Sequence, residues 1–212
     1  MPVRQLRLVR HAESASNAGL PTDSPTSNPI TERGLAQAWR FANSWKLGPP
    51  QLIVTSPFIR TKLTAEPFLT KYPEVPHVEW LVHEWGQLDH TRYQGTTYTE
   101  RHPHVLAHWE RNDPYFRDGE NAETLVELFG RVRDLLHNVA SRTETLTVVF
   151  THGFFIRAVL WWLHGNDYDT SEGMAHFRKF AESVDIPNVA TLPLHQNQYG
   201  GWCIGSPHAS QE

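Results

Sequence analysis

Two short apolar runs, far apart in the chain, each close on a histidine. Residues 6–9 run into Arg10 and His11 within LRLVRH, and residues 145–151 (TLTVVFT) run into His152. Both are too short for a buried helix and read as buried strands. Leu52, Ile53 and Val54 form another, residues 77–82 look like a third, and 189–194 and Trp202–Ile204 are candidate last strands ahead of a polar tail. Helical patterns lie between them. Thr31 is placed to cap a helix with an apolar face of Leu35, Ala38, Trp39, Ala42 and Trp45, stopped by Gly48-Pro49-Pro50. Ser56-Pro57 supplies an N-cap and a first-turn proline for a second helix. Apolar residues at 125, 128, 129, 132, 135, 136 and 139 make a helical stripe, and Gly153–Leu163 is an apolar helix directly after a strand. Strands separated by helices predict an α/β domain: a three-layer α/β/α sandwich with a largely parallel central sheet. Ligands of such sheets bind beyond the carboxyl ends of the strands, so His11 and His152 are expected on one rim.

The 212 residues form one domain by length, and no repeat or low-complexity linker divides them. Hydrophobic residues make up 39% and charged residues 20%, the balance of a globular chain rather than a disordered or coiled-coil one. With 19 basic against 23 acidic side chains the net charge is -4, which excludes a globally basic nucleic-acid binder. Of the basic residues 15 are Arg and 4 are Lys, a bias towards the side chain that grips phosphate and carboxylate with two parallel hydrogen bonds. Cys203 is the one cysteine, so no intramolecular disulfide, CxxC pair or cysteine-based zinc site can form. Arg4, Arg7 and Arg10 interrupt the start of the chain, which therefore lacks a signal peptide's apolar centre. The most apolar stretch, 154–163, is about half a membrane span and contains Arg157. A cytoplasmic protein is expected.

Arg10 adjoins His11, and Arg60 lies one turn into the helix behind the strand that ends at Thr55-Ser56. Taken singly, each of these residues is an ordinary capping or surface group. Together, two Arg and two His at matching topological positions predict a cationic pocket rich in hydrogen-bond donors. Phosphate is its natural guest, because guanidinium forks fit its oxygens and helix amino termini add N–H donors.

An ordered set of motifs resembles the histidine phosphatase (phosphoglycerate mutase-like) superfamily. Residues 10–17 (RHAESASN) look like its RHGESxxN signature, 31–38 (TERGLAQA) its LTxxGxxQA helix start, and 56–61 (SPFIRT) with Thr64-Ala65 its SxLxRAxxTA segment. Residues 81–86 (LVHEWG) resemble the segment that carries an acid. Residues 119–121 (GEN) resemble the GES that opens a long helix, 151–153 (THG) the second histidine motif, and 187–188 a late PN. The likeness spans residues 4 to about 204, with Ala12 for the usual Gly and Thr61 for the usual Ala as departures. It implies that His11 is the nucleophile of a phosphohistidine mechanism. Arg10, Arg60 and His152 would then stabilise the phosphoryl oxygens, with Ser14, Asn17 and Gly153 adding hydrogen bonds. Glu84 would be the proton donor, with Asp89 and Glu120 as the other carboxylates of the region. The neighbouring guanidiniums are expected to keep His11 neutral. No metal or cofactor is implied, and the partner is a small phosphorylated metabolite or a phosphoprotein. Residues 83–120, which show no clean period, would form an irregular insertion capping the substrate.

Several alternatives remain open at this point. His102, His104 and His108 form an HxHxxxH cluster that raises zinc, although Pro103 weakens the geometry; otherwise they rim the substrate mouth. Mutase-type phosphoryl transfer is a second activity of the family. Residues 102–124 instead resemble the phosphatase-type YPxxxxxWxxDPxxxxPxGES, which favours hydrolysis of a phosphate monoester. Arg92, Arg101, Arg111 and Arg117 are candidates for a second anionic group on the substrate. A non-catalytic phosphate-binding protein and a serine hydrolase using Ser56 are the readings outside the family, and no GxSxG elbow supports the latter. The sequence does not give the oligomeric state.

Overall fold

The computed structural model describes residues 3–206, so residues 207–212 of the expected polar tail lie outside the described residues. Six strands form one sheet: β1 (Gln5–Arg10), β2 (Leu52–Thr55), β3 (His77–Glu79), β4 (Leu146–Thr151), β5 (Thr191–Gln196) and β6 (Trp202–Ile204). Their order is β3-β2-β4-β1-β5-β6. The first four run parallel, and β5 and β6 add an antiparallel edge. The helices are α1 (Glu32–Ser44), α2 (Ile59–Lys71), α3 (Tyr98–Arg111), α4 (Leu125–Ser141), α5 (Gly153–Leu163) and α6 (Ser171–Ser183).

Alternation along the strands divides the core between the two faces of the sheet. Val9, Ile53, Val148 and Phe150 pack with Ala42, Ala65 and Phe68 of α1 and α2. Leu6, Leu8, Leu52, Val54 and Val149 face the larger cluster built with α4, α5 and α6. The three-layer α/β/α expectation holds, and the sheet is largely parallel.

The structure changes several local expectations. On α1 the buried stripe is Gly34, Ala38 and Ala42, whereas Leu35 and Trp39 are exposed. The helix rests on its smallest residues because the chain after His11 runs directly beneath it. A Cβ at Gly34 would lie 2.2 Å from the carbonyl oxygen of Glu13, far inside contact distance. The third strand stops at Glu79, and Leu81 is exposed. Ser56 is not the N-cap of α2; that position is Phe58, without a side-chain bond, and the Ser56 hydroxyl accepts from Phe58 N–H (3.2 Å) and meets His152. Residues 83–120 are not irregular throughout, since α3 occupies 14 of them and continues through Pro103. Its start is a capping box in which Thr97 and Glu100 bond each other's backbone. A further helix, α6, is capped by Thr170 and buries Met174, Phe177 and Ala181.

Candidate functional site

The sheet register brings the two histidines together. Arg10 of β1 stands opposite Thr151 of β4, so the next residues, His11 and His152, leave adjacent parallel strands at the same level. Their ring centroids are 5.1 Å apart, close to the spacing of neighbouring strands. The bond from His11 N–H to Thr151 O (2.9 Å) extends the ladder to that point.

The His11 ring is almost fully buried, and its Nδ1 lies 2.7 Å from the carbonyl oxygen of Ala12. A carbonyl only accepts, so Nδ1 carries the proton and a neutral ring presents Nε2 as a free lone pair. Burial is the largest cause holding the His11 pKa well below the usual imidazole value. Arg60 and then Arg10 add to it, so the guanidiniums reinforce what desolvation begins. Thr64 accepts from Ala12 N–H (3.0 Å), and Asn188 donates to the carbonyl of His11 (2.9 Å) and to Asn17 Oδ1 (3.2 Å). Asn188 sits beside Val189, a β-branched residue at φ 59°. Such a conformation is strained, and the bond from Val189 N–H to Arg10 O helps to impose it.

A cleft of about 540 Å³ opens over His11. Arg10, Ser14, Asn17, Arg60, Glu84 and Arg157 are among its lining residues. Arg60 is buried, donates to Pro25 O (2.6 Å), and has its pKa lowered to about 10, first by burial and then by Arg10, with Glu84 opposing. Arg10 donates to Ile186 O, and its Nε is buried without a partner. Gly153 makes room for this: a Cβ there would stand 3.3 Å from Arg10 Nε and 3.4 Å from Arg157 Nη1. Glu84 accepts from the backbone N–H of Phe154 (3.1 Å) and of Trp85 (3.2 Å), so a first-turn N–H of α5 faces a carboxylate.

His152 and Gly153 are wholly buried behind this cleft and do not line it. The Nε2 of His152 lies 2.8 Å from Ser56 Oγ, its Nδ1 has no partner, and burial followed by Arg60 pushes its pKa well down. Ser56 is in turn 2.9 Å from Thr61 Oγ1. The hydroxyl that stands where the family has alanine thus supports the partner of the second histidine. Ser56, Thr61 and Asn188 were present in the motifs, but no signal in the sequence pairs them with the histidines.

The rival carboxylates go elsewhere. Asp89 caps the short 3-10 turn His90–Arg92 and also accepts from Asn121. The Thr91 hydroxyl is the main cause holding its pKa at about 2. Glu120 is exposed and lines a second cavity, which shares Arg60 and Glu84 with the cleft but does not include His11. The acid and hydroxyl that open α4 are Glu123 and Thr124, three residues beyond the position read from GEN. His102, His104 and His108 pack against Tyr98, Tyr93 and the Trp85–Phe116 pair respectively. Among the described residues no three metal-ligating side chains converge. Arg92 pairs with Asp118, Arg117 with Glu127, and Arg111 covers the Phe116 ring, which leaves Arg101 of the four facing the cleft.

Fold and site define an α/β protein whose carboxyl-edge cleft has a neutral histidine floor flanked by guanidiniums. The family model of the histidine phosphatase superfamily (branch 1) matches residues 6–183, and the chain belongs to that family. Phosphoserine phosphatase 1 of Hydrogenobacter thermophilus is 30% identical over 168 residues, 77% of each chain. Among solved structures, Bacillus stearothermophilus YhfR superposes with a TM-score of 0.75 at 18% identity, covering 95% of both chains. Mycobacterial glucosyl-3-phosphoglycerate phosphatase gives 0.71 at 20% identity, covering 98% of this chain and 100% of that one. No helix among the described residues is long and apolar enough to cross a membrane.

Proposed function

We propose that this protein hydrolyses a phosphate monoester through a phosphohistidine on His11. The observation that carries the reading is the His11 ring: neutral by burial, with Nδ1 committed to Ala12 O and Nε2 free beside Arg10 and Arg60. The Nε2 lone pair attacks phosphorus, the N–P bond forms and the bond to the ester oxygen breaks. Glu84 gives its proton to that oxygen. Water then attacks, Glu84 takes its proton, and the N–P bond breaks to release phosphate. Arg10 and Arg60 neutralise charge on the transferring oxygens, the main contribution a protein makes to phosphoryl transfer and one that asks for no metal. Ser14 and Asn17 add neutral hydrogen bonds. A phosphoryl oxygen on His11 would also satisfy the orphaned Nδ1 of His152, with the Ser56 hydroxyl donating to Nε2.

The chain acts as one domain, with residues 83–120 serving as the substrate cap. The substrate is a small phosphorylated metabolite, and the phosphoserine phosphatase relative makes O-phosphoserine the first to assay. The test is p-nitrophenyl phosphate hydrolysis with and without EDTA, for wild type and His11→Ala. Activity is expected to resist EDTA and to fall on the order of 10⁴-fold or more in the variant. Chelator-sensitive turnover, or an active His11→Ala protein, overturns the reading.

A further inference from the structure

Glu84 lies in a segment without regular structure, yet its carboxylate meets one particular backbone N–H, that of Phe154. A proton donor aimed at a leaving oxygen tolerates little displacement, so something must hold the backbone on either side. The Glu84 side chain cannot do this, because it bonds only to Trp85 and Phe154 N–H groups.

The restraint comes from α4. Arg131 forks onto Glu123, with Nε 2.6 Å from Oε1 and Nη2 2.7 Å from Oε2. Its remaining nitrogen, Nη1, donates to the carbonyls of Leu81 (3.0 Å) and His83 (2.9 Å), just before Glu84. Glu123 takes the other side. Its backbone N–H donates to Gly86 O (2.7 Å), and its carbonyl accepts from the Trp85 indole (3.0 Å). The two residues therefore hold positions 81, 83, 85 and 86, which bracket Glu84. The pair is largely shielded from water, with side chains 10% and 15% exposed. The Arg131 guanidinium also lies over the Phe155 ring, 5.3 Å from its centroid, and so spans to α5, whose N–H receives the Glu84 carboxylate. Only arginine has a planar fork with a nitrogen to spare for two more carbonyls.

We infer that the Arg131–Glu123 pair is the positioning device of the proton donor: neither side chain touches the reacting atoms, and together they fix where Glu84 points. This rests on the reading of Glu84 as the acid. It has a signature that a merely structural ion pair lacks. p-Nitrophenolate leaves without a proton, whereas the alkoxide of O-phosphoserine does not. Loss of aim should therefore reduce kcat/KM on the alkyl ester and largely spare the aryl ester.

The experiment measures kcat/KM on both esters for wild type, Glu84→Gln, Arg131→Met and Glu123→Gln, with circular dichroism for folding. If O-phosphoserine is not turned over, glycerol phosphate is the alkyl ester. Glu84→Gln should lower alkyl turnover by about 10²–10⁴ and aryl turnover far less. Arg131→Met and Glu123→Gln should repeat that selectivity, losing on the order of tenfold more on the alkyl ester. Equal losses on the two esters, or none, in both pair variants overturn the positioning role while Glu84→Gln remains selective. An unselective Glu84→Gln overturns the acid reading itself, and the positioning role with it. Where Arg131→Met fails to fold, Arg131→Lys keeps the charge, loses the fork, and decides the same question.

Discussion

The floor of the cleft hangs on strand ends, and its roof is a length of chain folded between strands. On the floor, His11 and His152 inherit their proximity from the β1–β4 register, and Arg60 its burial from the first turn of α2. The roof, 83–120, is held by side chains instead: the Thr97–Glu100 capping box, the Asp89 turn, the Arg92–Asp118 ion pair and the aromatic contacts of Trp85 and Trp109. Both regions bury polar atoms without partners. The orphans of the floor, Arg10 Nε and His152 Nδ1, belong to residues at or directly behind the cleft. In the roof both ring nitrogens of His108 are orphaned between Trp85 and Phe116, and so are His83 Nδ1 and the Oε1 of Gln87, a residue that lines the cleft. An unpaired polar atom at the cleft is open to a partner from outside the chain, whereas one enclosed by aromatic rings, as at His108, only costs stability.

The largest effect expected from this contrast is at Arg60. Arg60→Met should lower kcat/KM by about 10²–10³, as loss of a charge-stabilising donor does. The loss should be similar for p-nitrophenyl phosphate and for an alkyl phosphate, because in the proposed mechanism the floor acts on the phosphoryl group and not on what leaves. A marked leaving-group dependence would assign Arg60 to the roof's function and break the division.

A smaller effect concerns acid. His11 and His152 have pKa values held well below 6.5, so below that pH the unfolded chain binds protons that the folded one refuses. Stability is therefore fully present above about pH 6.5 and declines as pH falls, with His83, its pKa lowered to about 4, adding to the decline between those two values. Each fully buried imidazole contributes about 1 kcal/mol per pH unit. In phosphate-free buffer the melting temperature should drop by about 5 °C or more between pH 7.5 and 5.5. A flat profile would mean that the floor histidines take up protons in the folded protein as readily as in the unfolded chain.

The smallest effect is in the roof. His108→Phe replaces an unpartnered ring with an apolar one of similar shape and should stabilise the protein by about 1 kcal/mol, read as a melting point a few degrees higher. Turnover should not change. A fall in activity would make His108 a working residue and merge the two regions.

How much of this was legible differs in the same way. The floor could be read because strand ends, Arg10-His11, Arg60 and His152 follow a pattern of short-range spacing. Ser56 was read as a helix cap, a role its dipeptide suits, and only the fold reveals that its hydroxyl faces His152 instead. In the roof, Pro103 and a run of His and Arg hide the period of α3, although T-x-x-E at 97–100 marks its start. Glu120 was placed before the long helix by its neighbours, yet the helix begins behind Glu123 and Thr124.

By itself the sequence determined the alternation of strand and helix, and with it the sheet edge on which both histidines stand. Apolar periodicity and turn chemistry act over a few residues and are written where they act. Only tertiary structure decided which carboxylate reaches α5, that Asp89 caps a turn and accepts from Asn121, that His152 lies behind the cleft, and that Arg131 and Glu123 bracket Glu84. Each of those depends on contacts between residues far apart in the chain. Their energies come from burial and hydrogen-bond geometry, which no local pattern encodes.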